Sequence, residues 1–267
     1  MSFHIEKAGM FCFSKPVVVT IFDFMLNELD RTIYDWQLEV ESFGEDGQEQ
    51  LRNTTALVSR IGGLGGVVAF QLAAAGIGKL VLAHAGNLRK DDLNRQILMR
   101  WDGLNSPRIE SAVKTLSAFN PNIEVEVHDT NIEKANVTEL VECSDIVFSC
   151  APLFEERFLM NRECVRQGKP MIDCAMFNLE GHVFPIVPGQ TPCLACLFPE
   201  KPPHWKRKFP VFGAVSALIG CMGVMEGLKL LTGFGESNIG KMIVMDTARM
   251  ESTKVDIQCR EGCSICR

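Results

Sequence analysis

Four cysteines stand in two pairs with metal-ligand spacing, Cys193-x-x-Cys196 and Cys263-x-x-Cys266, about 66 residues apart. A folded core can gather four thiolates into the tetrahedron that zinc prefers, and a site filled by sulfur at every position is structural. On that reading a Zn2+ ion ties the C-terminal strand to the rest of the domain. Four thiolates also suit an iron–sulfur cluster, with Cys259 as a spare ligand, and the plain alternative is a set of buried free cysteines. Upstream, Gly62-Gly63-Leu64-Gly65-Gly66 follows a short apolar run, where backbone N–H groups and a helix N-terminus can approach a phosphate. A tight strand-to-helix turn with no ligand explains the glycines equally well. Asp91-Asp92-Leu93-Asn94-Arg95-Gln96 adds Arg95, whose planar fork suits phosphate oxygens, and Arg108 offers a second cation. Each arginine taken alone reads as a solvated surface charge.

The elements that must position these groups alternate along the chain. A polar–apolar arm over 25–51 reads as helical, with a turn-like Phe43-Gly44-Glu45-Asp46-Gly47 near its end. Strand 56–59, the glycine turn, a helix from Val67 to Ala75 stopped by Gly76, and strand 80–83 form one β-α-β unit with parallel strands. Helices over 107–119, 136–141 and 155–167 then alternate with strands over 123–127, 145–149 and 171–174. Short strands around 181–187, a small-residue helix over 213–231 and a strand over 242–245 complete the pattern. The fold class is therefore α/β, a Rossmann-like mostly parallel sheet covered by helices, with a metal-stapled C-terminal part. A 27-residue N-terminal extension precedes a single domain over 28–267.

Composition narrows the partners. A formal net charge of −6 argues against a nucleic-acid or anionic-membrane surface, and the only basic knot is Lys201 to Lys208. The apolar run Pro16 to Phe22 is too short to cross a bilayer as a helix, so no membrane span is expected. Eleven cysteines scattered through a chain of this size, with no signal peptide ahead of them, point to a reducing cytoplasm.

Gly62-Gly63-Leu64-Gly65, Asn94-Arg95-Gln96-Ile97-Leu98, Pro107-Arg108, Asn120-Pro121, the two cysteine pairs and Met225-Glu226-Gly227-Leu228-Lys229-Leu230-Leu231-Thr232-Gly233 together resemble the ThiF/MoeB adenylyltransferases, relatives of the ubiquitin-activating enzymes. The resemblance runs from about Glu28 to the end. Within the family, Asn87 to Gln96, Gly168-Lys169-Pro170-Met171, Leu197 to Pro202 and Phe212 to Ser216 look most like the HesA branch, associated with nitrogen fixation. The resemblance implies a homodimer that binds ATP with Mg2+ over the glycine turn and activates a carboxylate, usually the C-terminal glycine of a small ubiquitin-like sulfur-carrier protein. It implies nucleotide contacts at Gly62, Gly63, Gly65, Asp92, Asn94, Arg95, Gln96 and Arg108, with Arg95 and Arg108 as the catalytic cations.

The chain departs from that pattern. The aspartate pair used for the ribose is replaced by His84 and Gly86, and the segment bearing the Mg2+-associated aspartate reads Ser149-Cys150-Ala151-Pro152-Leu153. The arginine reaching across the dimer is Trp36, the first glycine of the turn is Arg60, and the lysine opening the next helix is Arg108. Asp91, Asp92, Glu155 and Glu156 are candidate substitutes for the lost carboxylates, each otherwise a solvated acid. No cysteine falls between Phe198 and Val215, which disfavours covalent transfer by the route some relatives use, and Phe209 stands about where one would lie. Cys221, inside an apolar helix, reads as inert packing, and His204 as a loop residue. Three outcomes remain open: a carboxylate adenylyltransferase, a degenerate member acting as a scaffold, and a dinucleotide redox enzyme, which would need an acidic residue closing the second strand.

Overall fold

The alternation of apolar runs and helical stretches folds as a sheet with helices on both faces in the computed structural model, which describes residues 26–203 and 208–267. The apolar run at 16–22 and His204 lie outside the described residues. Two N-terminal helices come first, α1 (Glu28–Leu38) and α2 (Gly44–Arg52). Asn27 caps α1 by accepting from the Asp30 N–H, and Asp30 reciprocates on the Asn27 N–H. The segment read as a turn at 43–47 is instead the opening of α2. Tertiary packing overrides its glycines, because Phe43 packs edge-on against Phe234 at 5.6 Å while Gln48 and Leu51 are buried.

Five strands run parallel: β1 (Thr55–Ser59), β2 (Lys79–Ala83), β3 (Glu124–His128), β4 (Ile146–Ser149) and β5 (Met171–Phe177). β6 (Glu180–Ile186), β7 (Lys241–Asp246) and β8 (Glu251–Asp256) extend the sheet antiparallel, in the order β3-β2-β1-β4-β5-β6-β7-β8. The short strands expected around 181–187 are one seven-residue strand. β8, a fully exposed edge strand rich in polar residues, carries no apolar alternation by which sequence could find it.

The chain builds outward from β1 through β2 to β3, then returns to β1's other side for β4 and β5. The crevice at the carboxyl ends of β1 and β4 is thus the topological switch point, where doubly wound sheets bind ligands. One face is covered by α3 (Gly63–Ala74), α4 (Arg108–Phe119) and later α8 (Gly213–Thr232). The other is covered by α5 (Val137–Glu142), α6 (Phe154–Gln167) and the short α7 (Leu194–Leu197). The glycine run lies inside α3, which starts four residues earlier than the apolar periodicity suggests. Close packing is the reason: a Cβ on Gly65 would sit 2.5 Å from the Arg60 carbonyl oxygen and 3.0 Å from that of Ser59. Those are backbone atoms that cannot move aside cheaply. Gly65→Ala is therefore expected to lower stability by about 1–3 kcal/mol through overpacking, measured by thermal denaturation, as α3 is displaced from β1.

α8 is long and apolar enough, by length and composition, to cross a membrane. In this fold one face is buried on α3, β5 and β6 through Val215, Ile219, Gly220 and Gly223. Its buried Glu226 accepts from the Asn238 N–H at 2.8 Å, from Asn238 Nδ2 at 2.7 Å and from Lys229 Nζ at 2.9 Å, pinning the turn before β7. A buried carboxylate with this many donors belongs to a core helix.

Candidate nucleotide site and cysteine cluster

At the carboxyl end of β1 the chain turns sharply through Arg60, whose φ of +58° is the left-handed conformation that favours glycine. Arg60 holds this position by a bidentate pair with Glu156 in the first turn of α6, Nε to Oε2 at 2.8 Å and Nη2 to Oε1 at 2.6 Å. Glu156 is thus a buried ion-pair partner and neither of the roles considered for it, a solvated acid or a metal ligand. Glu155 beside it is exposed and paired with Lys201. Ser59, the last residue of β1, accepts from the Cys150 N–H at 2.9 Å and donates to the Phe148 carbonyl, which locks β4 to the turn.

The second wall is the segment after β2. Asp92 is buried and fully engaged. Its Oδ2 accepts from Arg108 Nη2 at 2.5 Å and from the Arg89 N–H at 3.0 Å, while its Oδ1 accepts from Gln96 Nε2 at 2.7 Å and Arg95 Nη2 at 3.5 Å. Burial pushes the Asp92 pKa upward, but the Arg108 bond, the Arg89 N–H and the Arg95 charge outweigh it and hold the carboxyl below the ordinary aspartate value. Asp92 is therefore a positioning carboxylate for Arg108, Arg95 and Gln96. Arg95 also donates to the Asp91 carbonyl oxygen at 2.7 Å and to Asn94 Oδ1 at 2.9 Å. Asp91 is exposed, as a solvated acid would be.

These walls enclose two connected hollows that share Arg60, His84, Arg95, Arg108 and Phe209. A small one of about 80 Å³ touches Gly62, Gly63, Gln96 and Cys150, and a larger one of about 790 Å³ reaches Asn94, Arg89 and Lys208. Of the residues expected to contact nucleotide, Gly62, Gly63, Asp92, Asn94, Arg95, Gln96 and Arg108 line one hollow or the other; Gly65 lies back in α3 as a packing residue. Sequence reasoning passed over Arg89, Lys208 and Met176 as lining groups; the last two come from segments distant in sequence, and only the sheet brings them here. Phe209 closes over the crevice on a strap whose Pro210 carbonyl accepts from the Asn178 N–H at 2.8 Å.

Cys150, which the sequence marks only as part of the segment lacking the aspartate, lines the small hollow. Burial first, and then its hydrogen bond to Cys174, push its thiol well above the ordinary value, so it stays protonated and poorly nucleophilic. Burial likewise raises the Cys221 thiol, in line with a packing role.

Beneath the crevice lies a second buried network. Asp173 on β5 accepts from Arg157 Nε at 3.0 Å, Arg157 Nη2 at 2.5 Å and Ser149 Oγ at 3.0 Å, and His182 Nε2 lies 3.3 Å away. The Arg157 guanidinium also stands 4.6 Å from the Phe154 ring centroid. Burial opposes the charge on Asp173, and Arg157 and His182 overcome it, holding the carboxyl far below the usual range. This pair fixes α6, and with it Glu156, against the sheet.

The four cysteines meet on the same face as α6. Cys193 caps the N-terminus of α7 and Cys196 lies within it, Cys263 and Cys266 follow β8, and all four sulfurs lie within 4.8 Å of one another. Sγ separations of 3.8 Å for Cys193–Cys263 and 3.4 Å for Cys196–Cys266 compare with the roughly 3.8 Å edge of a tetrahedron built on 2.3 Å zinc–sulfur bonds. Cys259 is outside this cluster, which removes it as a fifth ligand. Asn161 of α6 accepts from the Leu194 N–H at 2.9 Å, coupling the cluster to the helix that carries Glu156 and Arg157.

The donor set does not fit a protein-held Mg2+. Both oxygens of Asp92 and of Glu156 are taken by arginines and amides, Asp91 is exposed beside Arg89, and Pro152 in the crevice wall offers no ligand side chain.

Comparison with known proteins decides the family. The ThiF family model matches residues 34–265. The chain belongs to the ThiF family. It is 45% identical over 244 residues to the protein HesA of Leptolyngbya boryana, covering 91% of this chain and 87% of that one. It is 31% identical over 248 residues to the sulfur carrier protein adenylyltransferase of Thermus thermophilus, covering 90% and 91%. Among solved structures, E. coli MccB superposes with a TM-score of 0.79 at 21% identity, over 91% of this chain and 74% of that one, which shows a shared fold. The dinucleotide redox reading fails at Ala83-His84-Ala85-Gly86, which offers no acidic residue at the end of β2.

Proposed function

We propose that this chain is an ATP-dependent adenylyltransferase that activates the terminal carboxylate of a small sulfur-carrier protein. The observation that carries the reading is the juxtaposition of Arg95 and Arg108 around Asp92, beside Gly62 and Gly63 at the N-terminus of α3. A carboxylate oxygen attacks the α-phosphorus, the bond to the β-phosphate breaks, and pyrophosphate leaves as the acyl adenylate forms. Negative charge grows on the phosphoryl oxygens and the leaving pyrophosphate, and preorganised cations in a dry crevice stabilise it. Arg95 and Arg108 fill that role, with Gly62 and Gly63 permitting close approach of the backbone. ATP–pyrophosphate exchange with purified protein and candidate carriers tests the reading: carrier-dependent exchange supports it, and absence of exchange with every carrier sinks it.

Support for a homodimer comes from exposed Phe212, just before α8, and from exposed Ile97, which lines a hollow of about 280 Å³ with Arg95, Ala214 and Ala217. The place of work in this reading is a reducing cytoplasm, and the pathway served is molybdenum or nitrogenase cofactor assembly. A second reading, a scaffold that keeps the fold without the chemistry, is favoured by His84, Gly86 and Pro152. Isolation of a stable acyl adenylate would eliminate it.

The metal of the cysteine cluster in this proposal is zinc, held by Cys193, Cys196, Cys263 and Cys266. The expected stoichiometry is about one zinc per chain. Cys193→Ser should lose that zinc and melt about 10 °C lower, since several kcal/mol of binding energy are folding energy and each kcal/mol is worth about 2–4 °C in a chain of this size. Elemental analysis and calorimetry check both numbers.

A further inference from the structure

Phosphate-binding sites of nucleotide-activating enzymes commonly use a divalent cation held between one or two protein carboxylates and the phosphates. The crevice here supplies the opposite. Arg60, Arg89, Arg95, Arg108 and Lys208 face it, against the three carboxylates Asp91, Asp92 and Glu156. Those carboxylates are spoken for. Asp92 accepts four donors, Glu156 is gripped at both oxygens by Arg60, and Asp91, on the exposed rim of the larger hollow, is paired with Arg89 at 3.3 Å. After β4, Pro152 lines the small hollow with a ring that has no donor atom, and the neighbouring Cys150 is a protonated thiol. A divalent ion beside the phosphates would therefore sit among guanidinium groups with no unpaired anion among the described residues lining the crevice, and the arginines would compete with it for the same oxygens.

We propose that this chain meets the phosphate charge of its nucleotide with its own basic side chains, the arginine cluster and Lys208, and with no protein ligand to a divalent cation, so that ATP binds as well without Mg2+ as with it. The inference rests on the crevice being the nucleotide site, and it extends that reading to how the phosphate charge is met. Arg95, whose side chain is bonded to main-chain and amide oxygens with only a long contact to Asp92, keeps its charge for the ligand. Arg89 and Lys208 reach the larger hollow from its rim. The Arg60 and Arg108 pairs hold two further guanidinium groups rigid behind them.

Isothermal titration of the full chain with ATP, once in excess EDTA and once in saturating Mg2+, tests the proposal. The expected result is a Kd in EDTA no more than about threefold weaker than in Mg2+, a difference of under about 0.7 kcal/mol. Binding more than about threefold weaker in EDTA overturns the proposal and leaves the adenylyltransferase reading standing. Absence of binding in both conditions overturns both. In Pro152→Asp a carboxylate enters the crevice wall, and EDTA should now weaken ATP binding more than threefold, with Mg2+ restoring it. If a folded Pro152→Asp protein stays indifferent to EDTA, a missing carboxylate is not what makes the site independent of the metal, and the proposal falls.

Discussion

Arg95→Ala is expected to reduce carrier-dependent ATP–pyrophosphate exchange by about 10²- to 10³-fold, the scale seen when one preorganised charge-stabilising donor is removed from an active site. Arg95 touches both hollows and spends its hydrogen bonds on the Asp91 carbonyl and on Asn94. Its contact with Asp92 is long, so the truncation does not strand Asp92, which keeps Arg108, Gln96 and the Arg89 N–H. The melting temperature should accordingly move by only a few degrees, in keeping with the small worth of partly exposed ion pairs. Arg95→Lys retains the charge and loses the planar fork, and exchange should recover only in part. Loss of exchange together with a collapse in melting temperature would show that Arg95 is a structural residue.

Arg157→Ala should be the most destabilising single change in the second network. It leaves the fully buried Asp173 carboxylate with only Ser149 and His182, and breaking one partner of a buried pair costs about 3–5 kcal/mol. Melting should fall by about 10 °C or more. The pH dependence has a definite sign. Asp173 is depressed in the folded protein, so its contribution is present above the ordinary aspartate pKa of about 3.9 and is lost as pH falls below that value toward the folded one. Wild-type stability should therefore drop below about pH 4. Without Arg157, burial governs and the carboxyl prefers its proton, so the variant's deficit should narrow in acid. Denaturant titrations across pH 3–7 read this directly, and a deficit that stays constant with pH would sink the assignment.

Fold class was legible because it depends on local period. The β1-turn-α3-β2 unit, the helix ending at Gly76 with its positive φ, and the alternation through β5 all follow from apolar spacing and glycine placement. Periodicity failed where packing supplied the order. The opening of α2 is held by Phe43 on Phe234, and β8 exists by pairing with β7 along its whole length. The cysteine cluster was legible for a different reason, since Cys-x-x-Cys pairs carry their ligand geometry in their spacing and need only one long-range closure.

Charge pairing was not legible at all. From sequence, nothing separates Glu156 from Glu155, and the resemblance marks Asp92 and not Asp91 as a nucleotide contact without showing that arginines hold it; Glu155 and Asp91 are exposed. What distinguishes them is which guanidinium the sheet delivers to each: Arg60 from the end of β1 to Glu156, and Arg108 from the start of α4 to Asp92. By itself the sequence determined the residue types, the glycine cradle, the thiolate spacing and the family. The tertiary structure alone decided which carboxylates are consumed by arginines and which arginines remain for a ligand, because the sign and availability of charge in a crevice depend on three-dimensional neighbours within a few ångströms.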